Sequence, residues 1–265
     1  MSGPMEFDLI VLGGGAAGMA AAISAARALQ GKRSVALLEH GPRVGKKLLT
    51  TGNGRCNLTN LGPLSGHYHG NEPAFIQTVL AHFPSRKTIS FFESLGLLCR
   101  EEGEGRVYPY CGQASAVLDS FRTELEHLGV RQLLEYHPQR IVRQKKGFQI
   151  HCTEGIPSCR RLIVATGGKS LSSTGSDGSG YRLLQELGHT ATKLFPSLTQ
   201  IRTDPALMRP IKGLRCEGAV SLLADDKTVR REKGEIQFTE AGLSGICIFQ
   251  LSRLSGEFFT LHTVN

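Results

Sequence analysis

The stretch Asp8–Gly18, DLIVLGGGAAG, decides the fold. Leu9, Ile10, Val11 and Leu12 make an apolar run too short for a helix and suited to a strand buried on both faces. The run enters Gly13, Gly14 and Gly15, and Gly13, Gly15 and Gly18 fit G-x-G-x-x-G. In that pattern the first glycine allows the tight turn, the second lets a pyrophosphate approach the backbone, and the third lets helix pack on strand. Ala16–Leu29, AAGMAAAISAARAL, is rich in strong helix formers. Its N-terminus, at Ala16 and Ala17, faces the phosphates with free N–H groups and the positive end of the helix dipole. A second strand is expected over Ser34–Leu38, ending on Glu39 with His40 beside it. A carboxylate there accepts hydrogen bonds from ribose hydroxyls and repels a 2′-phosphate. The glycine pattern alone is often only a turn. Strand, turn, helix, second strand and acid in register predict a nucleotide-binding α/β unit.

A chain of 265 residues with 40% hydrophobic and 20% charged residues and 32 glycines reads as globular, as one large domain or two smaller ones. It has no run of 18 apolar residues, so no membrane span is expected. Its start, MSGPMEF, lacks the basic and apolar regions of a signal peptide, which makes the expected location cytoplasmic. Seven cysteines without a C-x-x-C argue against a zinc site or a dithiol pair and for reduced thiols acting as small hydrophobes. The net charge of +8 leaves an anionic partner open. The basic residues are dispersed as pairs, aromatics are few and no stacking motif accompanies them, so nucleic acid is not an expected partner. His67 and His69 form H-x-H without a third ligand at metal spacing, and no metal site is expected. Ser244 in GLSG lacks the first glycine of a nucleophile elbow, which argues against a hydrolase.

Beyond Glu39, Thr50–Asn60, TTGNGRCNLTN, is small, polar and glycine-rich, with many backbone N–H groups to offer. Lys46, Lys47 and Arg55 place positive charge beside the phosphate site. Helices are expected over Asn71–Phe83 and Ser85–Leu95, separated by Pro84, the second capped by Ser85 and closed by Gly96. Leu97–Arg100 and Arg106–Tyr108 are expected to pair around the EEGEG turn, and Gln113–Leu128 carries a helical apolar stripe at 117, 118, 121, 125 and 128. A strand follows at Val130–Leu134. A hairpin then joins Ile141–Arg143 to Phe148–Cys152 across Gly147, and a buried strand at Leu162–Ala165 ends in Thr166-Gly167-Gly168. Ser170–Gly180, rich in glycine and serine, is read as a loop folding over the ligand before a helix at Gly180–Leu187. Short strands are expected over Leu198–Thr203, Arg215–Leu223 and Thr228–Glu232, with a turn at Ala224–Lys227.

The combination of GGGAAG, the acid ending the second strand, VGKKLL and TGNGRCNLTN resembles the BaiN-like NAD(P)/FAD-dependent oxidoreductases, the aminoacetone-oxidase-family FAD-binding enzymes. GRVYPYCGQASAVL and GEIQFTEAGLSGICIFQ resemble the same family, and the likeness covers Phe7–Arg253. It implies an FAD-binding Rossmann domain of the glutathione-reductase type with a β-meander over residues 1–195. The start of a mainly β substrate domain follows over 196–265. It further implies that Gly52, Gly54, Arg55, Cys56 and Asn57 lie along FAD, that Pro138 stands where backbone contacts adenine, and that Gly167 and Gly168 lie near the pyrophosphate. Most members of the resembled family carry valine at the Pro138 position, so the proline removes a backbone donor. Family members run on well beyond Arg253 and return to the first domain with a segment that contacts the flavin ring. The present chain is therefore expected to be a truncated form holding the ADP half of the site.

For such an enzyme the flavin carries the chemistry and protein groups orient it. No catalytic residue is assigned; Cys56 is the candidate if Arg55 and nearby N–H dipoles favour its thiolate. The expected activity is hydride transfer between FAD, with NAD(P)H as the external reductant, and an unsaturated or carbonyl-type small molecule. One alternative is a catalytically silent nucleotide-binding or assembly module. Another is a simple NAD dehydrogenase, against which the meander before ATGG speaks.

Overall fold

The structure, a computed structural model, describes residues 5–63, 67–69 and 72–259. It divides into two compact units, residues 1–191 and 192–265.

In the first unit β1 (Glu6–Leu12) leads through the glycine turn into α1 (Ala16–Leu29) and β2 (Val35–Leu38). After a 3₁₀ turn at Leu48–Gly54 come β3 (Thr59–Asn60), α2 (Pro73–His82), α3 (Ser85–Glu93), β4 (Cys99–Glu102) and β5 (Arg106–Pro109). Then follow α4 (Ala114–His127), β6 (Arg131–Leu133), β7 (Pro138–Gln144), β8 (Gly147–Cys152), β9 (Ser158–Val164) and α5 (Ser179–Gln185). One six-stranded sheet runs in the order β6-β2-β1-β9-β8-β7. β6, β2, β1 and β9 are parallel, and β8 and β7 add the antiparallel meander. A small antiparallel sheet, β3-β5-β4, stands apart from it.

β1 is central and buried on both faces, as its unbroken apolar run requires. Val11 joins Met19 and Ile23 of α1 and Val117, Phe121 and Leu125 of α4 in one core. Ile10 and Leu12 join Leu38, Ile141, Ile150 and Leu183 in another. Arg27 of α1 pairs with Glu124 of α4 at 2.8 Å.

Three expectations are corrected. The strand at Leu162–Ala165 is not fully buried: in β9 Arg160 and Arg161 are exposed and Ile163 is 36% exposed. The helices gather around Val11, Val35 and Leu37, and Ile163 lies outside that cluster. Ser85 does not cap α3, whose cap position is Pro84; the Ser85 hydroxyl donates to the Asn60 carbonyl at 2.6 Å and ties the helix to β3. Of Leu198–Thr203 only Ile201–Arg202 is strand. The expected helix start at Asn71 lies outside the described residues.

The second unit contains β10 (Ile201–Arg202), α6 (Pro205–Met208), β11 (Arg215–Ala224), β12 (Lys227–Thr239), β13 (Gly242–Ser244) and α7 (Ile246–Phe259). Its sheet runs β10-β13-β12-β11 and is antiparallel throughout. β11 and β12 meet through Asp225 and Asp226, both at positive φ as a tight type I′ hairpin demands. Ile236 of β12 packs on Cys247 and Ile248 of α7. The last segment of the sequence, residues 260–265, lies outside the described residues.

Candidate cofactor site

The Gly13 N–H donates to the Leu38 carbonyl at 2.8 Å, so the turn after β1 is fastened to the end of β2. A Cβ at Gly18 would lie 1.7 Å from the Gly13 carbonyl oxygen, and α1 approaches the turn this closely only because position 18 has no side chain. Gly15 is the opposite case: a Cβ there meets nothing within 4 Å. No side chain caps α1, which leaves the N–H groups of its first turn for a group in that open space.

Glu39 directly follows β2 with both carboxylate oxygens engaged. Oε2 accepts from the Gly14 N–H at 2.7 Å, Oε1 accepts from the Gly41 N–H at 2.8 Å, and His40 Nδ1 lies 3.2 Å from Oε1. A carboxylate has about four acceptor sites, so capacity remains for ribose hydroxyls.

Around these groups opens a cavity of about 540 Å³, a size suited to a small organic ligand. Gly13, Gly14, Gly15, Ala16 and Ala17 line it, and Glu39, His40, Lys46 and Lys47 follow from the segment after β2. Cys56 and Asn57 contribute from the asparagine-rich loop, Pro138 from the start of β7, and Thr166 and Gly167 from the turn after β9. Five residues expected at the cofactor do not line it. Gly18 packs helix on turn, Gly52 and Gly54 shape their loop at positive φ, and Gly168 faces the Tyr181 hydroxyl. Arg55 points elsewhere: its guanidinium stacks 4.3 Å over the Tyr108 ring and pairs with Glu102. Arg100 also pairs with Glu102, at 2.9 Å. Arg55, foremost, holds the Glu102 carboxyl below the usual carboxylate range. Of the three cationic residues read as serving phosphates, Arg55 is thus compensated inside the protein, while Lys46 and Lys47 line the cavity.

Cys56 lines the cavity but is only 7% exposed, and burial pushes its thiol up against a smaller opposing effect of the Thr51 hydrogen bond. Burial thus disfavours the thiolate that a redox nucleophile needs.

Several lining residues escaped sequence reasoning, among them Arg43, His137 and Arg182. His137 is held from outside the cavity. Its backbone N–H donates to Glu154 Oε2 at 2.8 Å, and its Nδ1 lies 2.8 Å from Oε1. The Thr153 hydroxyl, then the His137 N–H, bring the Glu154 carboxyl down to about 2. The only available signal was the adjacency of His137 to Pro138. The Ser170–Gly180 loop does come to the cavity, where Thr174, Gly175, Ser176 and Asp177 line it. The Ser179 N–H, foremost, lowers the Asp177 carboxyl. Among the described residues no group of three or more metal-ligating side chains occurs.

Residues 7–253 match the HI0933-like protein Rossmann domain. The chain belongs to this family. The family assignment agrees with the likeness carried by TGNGRCNLTN. The 3-dehydro-bile acid delta(4,6)-reductase of Clostridium scindens is 40% identical over 92% of this chain and 59% of its own length. The ribosomal RNA dihydrouridine synthase of Escherichia coli is 30% identical over 97% of this chain and 64% of its own length. The chain therefore spans about six-tenths of the length of these curated relatives. The 3-ketosteroid-delta4-(5alpha)-dehydrogenase from Rhodococcus jostii RHA1, solved with 4-androstene-3,17-dione, shares the fold at a TM-score of 0.50 and 18% identity, over 80% of this chain and 60% of its own. The HI0933-like chain thus has an FAD-binding Rossmann fold followed by an antiparallel sheet.

Proposed function

We propose that this chain binds FAD through the cavity at Gly13–Ala17 and serves a flavin-dependent oxidoreductase that reduces a conjugated carbon–carbon double bond in a ring substrate. The observation that carries the reading is the convergence on one cavity of the uncapped first turn of α1, the open space at Gly15, the oriented Glu39 carboxylate and the basic residues Lys46 and Lys47. That set matches a diphosphate joined to a ribose. FAD, when bound, supplies the hydride chemistry. The protein's own part is to seat the diphosphate on backbone N–H groups, accept from ribose hydroxyls at Glu39, and keep water from the cavity with Leu12, Leu38 and Leu183. NAD(P)H is the proposed external reductant.

The substrate class rests on the names of the two relatives, one a delta(4,6)-reductase and the other a dihydrouridine synthase. Both describe hydrogen added across a double bond in a ring. The greater identity to the bile acid reductase favours a small steroid-like enone over a base in RNA. Two measurements test the proposal. Titration with FAD should quench flavin fluorescence saturably, with Glu39→Ala weakening binding about tenfold, and tighter binding of NAD than of FAD would overturn the cofactor assignment. NADH or NADPH oxidation dependent on both FAD and an added dienone should follow. A chain that binds FAD but turns over neither a dienone nor a uridine-containing RNA is instead a silent nucleotide-binding module.

A further inference from the structure

The loop at Ser170–Asp177 is fastened across the cavity rather than hanging beside it. It is built tightly: Leu171 and Ser176 form a β-bridge, the Thr174 hydroxyl donates to the Leu171 carbonyl at 2.9 Å, and the Gly175 N–H donates to the Ser172 carbonyl at 2.9 Å. Ser176, a polar residue in a surface connection, is only 7% exposed. Two ties reach it, both from the segment after β2. A Cβ on Gly175 would lie 2.8 Å from His40 Cε1, so the imidazole rests against the loop backbone. The Lys47 ammonium donates to the hydroxyl oxygens of Ser170 and of Ser176, the latter at 3.1 Å.

Lys47 also lines the cavity. An ammonium has three donors, and two of them go to the loop hydroxyls. One is left for an anion in the cavity. We propose that Lys47 is a bolt that closes the 170–177 strap over the cofactor and couples the order of the strap to occupancy of the diphosphate site. Its role is to position and retain the cofactor, not to take part in the reaction. On the strap side the ammonium meets two neutral hydroxyls. With a diphosphate present, the same ammonium joins the strap to a fixed negative charge, and charge-assisted bonds are roughly twice as strong as neutral ones. Departure of the cofactor then requires the strap to release Lys47 first, so the bolt acts mainly on dissociation.

The inference rests on the FAD reading for its ligand, but the strap can be observed without FAD. The test compares wild type with Lys47→Met, with Ser170→Ala/Ser176→Ala, and with all three substitutions together. Two quantities are read: amide exchange of residues 170–177 in the FAD-free protein, and FAD dissociation followed by recovery of free-flavin fluorescence on dilution. Lys47→Met and the double serine variant should each speed exchange of the strap amides about tenfold without FAD. Both should also speed FAD dissociation, the serine variant by about tenfold, and the triple variant should lose no more than Lys47→Met alone. Lys47→Arg should restore most of the retention. If Lys47→Met speeds dissociation while the serine variant does not and strap exchange is unchanged, Lys47 is a phosphate contact alone and the bolt is refuted. If wild type binds no FAD, the FAD reading falls. Unchanged strap exchange in FAD-free Lys47→Met would still refute the bolt independently.

Discussion

Two glycines of one motif make opposite demands on their surroundings. Position 18 faces the Gly13 carbonyl, which as backbone of the turn cannot move aside, whereas position 15 faces open space. Gly18→Ala should destabilise the protein by about 3 kcal/mol, since the added methyl has nowhere to go without parting α1 from the turn. Gly15→Val should leave the thermal midpoint within a degree or two and abolish FAD binding, because its side chain would fill the space proposed for the diphosphate. Differential scanning fluorimetry and FAD titration separate the two, and a large loss of stability in the Gly15 variant would contradict the geometry. At the same scale, Glu154 supports the cavity wall from behind through His137. Its carboxyl falls from 4.5 to about 2 on folding, so it stabilises the fold above pH 4.5 and this contribution is lost as pH falls from 4.5 toward 2. Glu154→Gln should lower the thermal midpoint at neutral pH, and the gap from wild type should narrow through that acid window. A gap that widened on acidification would contradict the assigned shift.

At the scale of elements, the asparagine-rich loop at Thr51–Asn57 is held to the small sheet β3-β5-β4 by Arg55, which reaches Glu102 of β4 and covers Tyr108 of β5. The loop presents Cys56 and Asn57 to the cavity while its charged residue faces the other way. Arg55→Met and Glu102→Gln should therefore weaken FAD binding by roughly the same factor, and the double variant should be no worse than either. Additive losses would instead put Arg55 on the cofactor. This pair also marks how far the sequence could be read. The order of strands and helices in the first unit was legible because each signal is local: an apolar run, a glycine turn, a stripe on a helix. α1 runs over the expected Ala16–Leu29, and Val117, Leu118, Phe121 and Leu125 of α4 are buried as their spacing implied. The direction of a long side chain is not local. Whether Arg55 turns toward phosphates or toward Glu102, far along the chain, depends on the packing of β4 and β5 beside the loop. The same holds for Ser85, which had a nearer partner in the Asn60 carbonyl than in its own helix, and for His137, whose place follows from Glu154 across the meander.

At the scale of the whole molecule, every described residue that lines the cavity falls between Leu12 and Leu183, within the unit that ends at Ala191. That unit has its own cores on both faces of the six-stranded sheet, one built with α1 and α4 and the other with Ile141, Ile150 and Leu183. A segment with its own core, and with the described lining of the cavity within its own boundaries, is expected to fold independently. The β10–β13 sheet with α7 buries a much smaller cluster around Ile236, Cys247 and Ile248. Residues 1–191 expressed alone should therefore unfold in a single cooperative transition and bind FAD with an affinity within about threefold of the full chain, a difference under 1 kcal/mol. The comparison also divides affinity from activity. If the second unit contributes only to the substrate, its removal should abolish dienone reduction and leave the flavin fluorescence titration almost unchanged. If the isolated first unit folds but binds FAD tenfold or more weakly, the cofactor site depends on residues beyond Ala191, and the assignment of the cavity to the first unit alone would have to be abandoned.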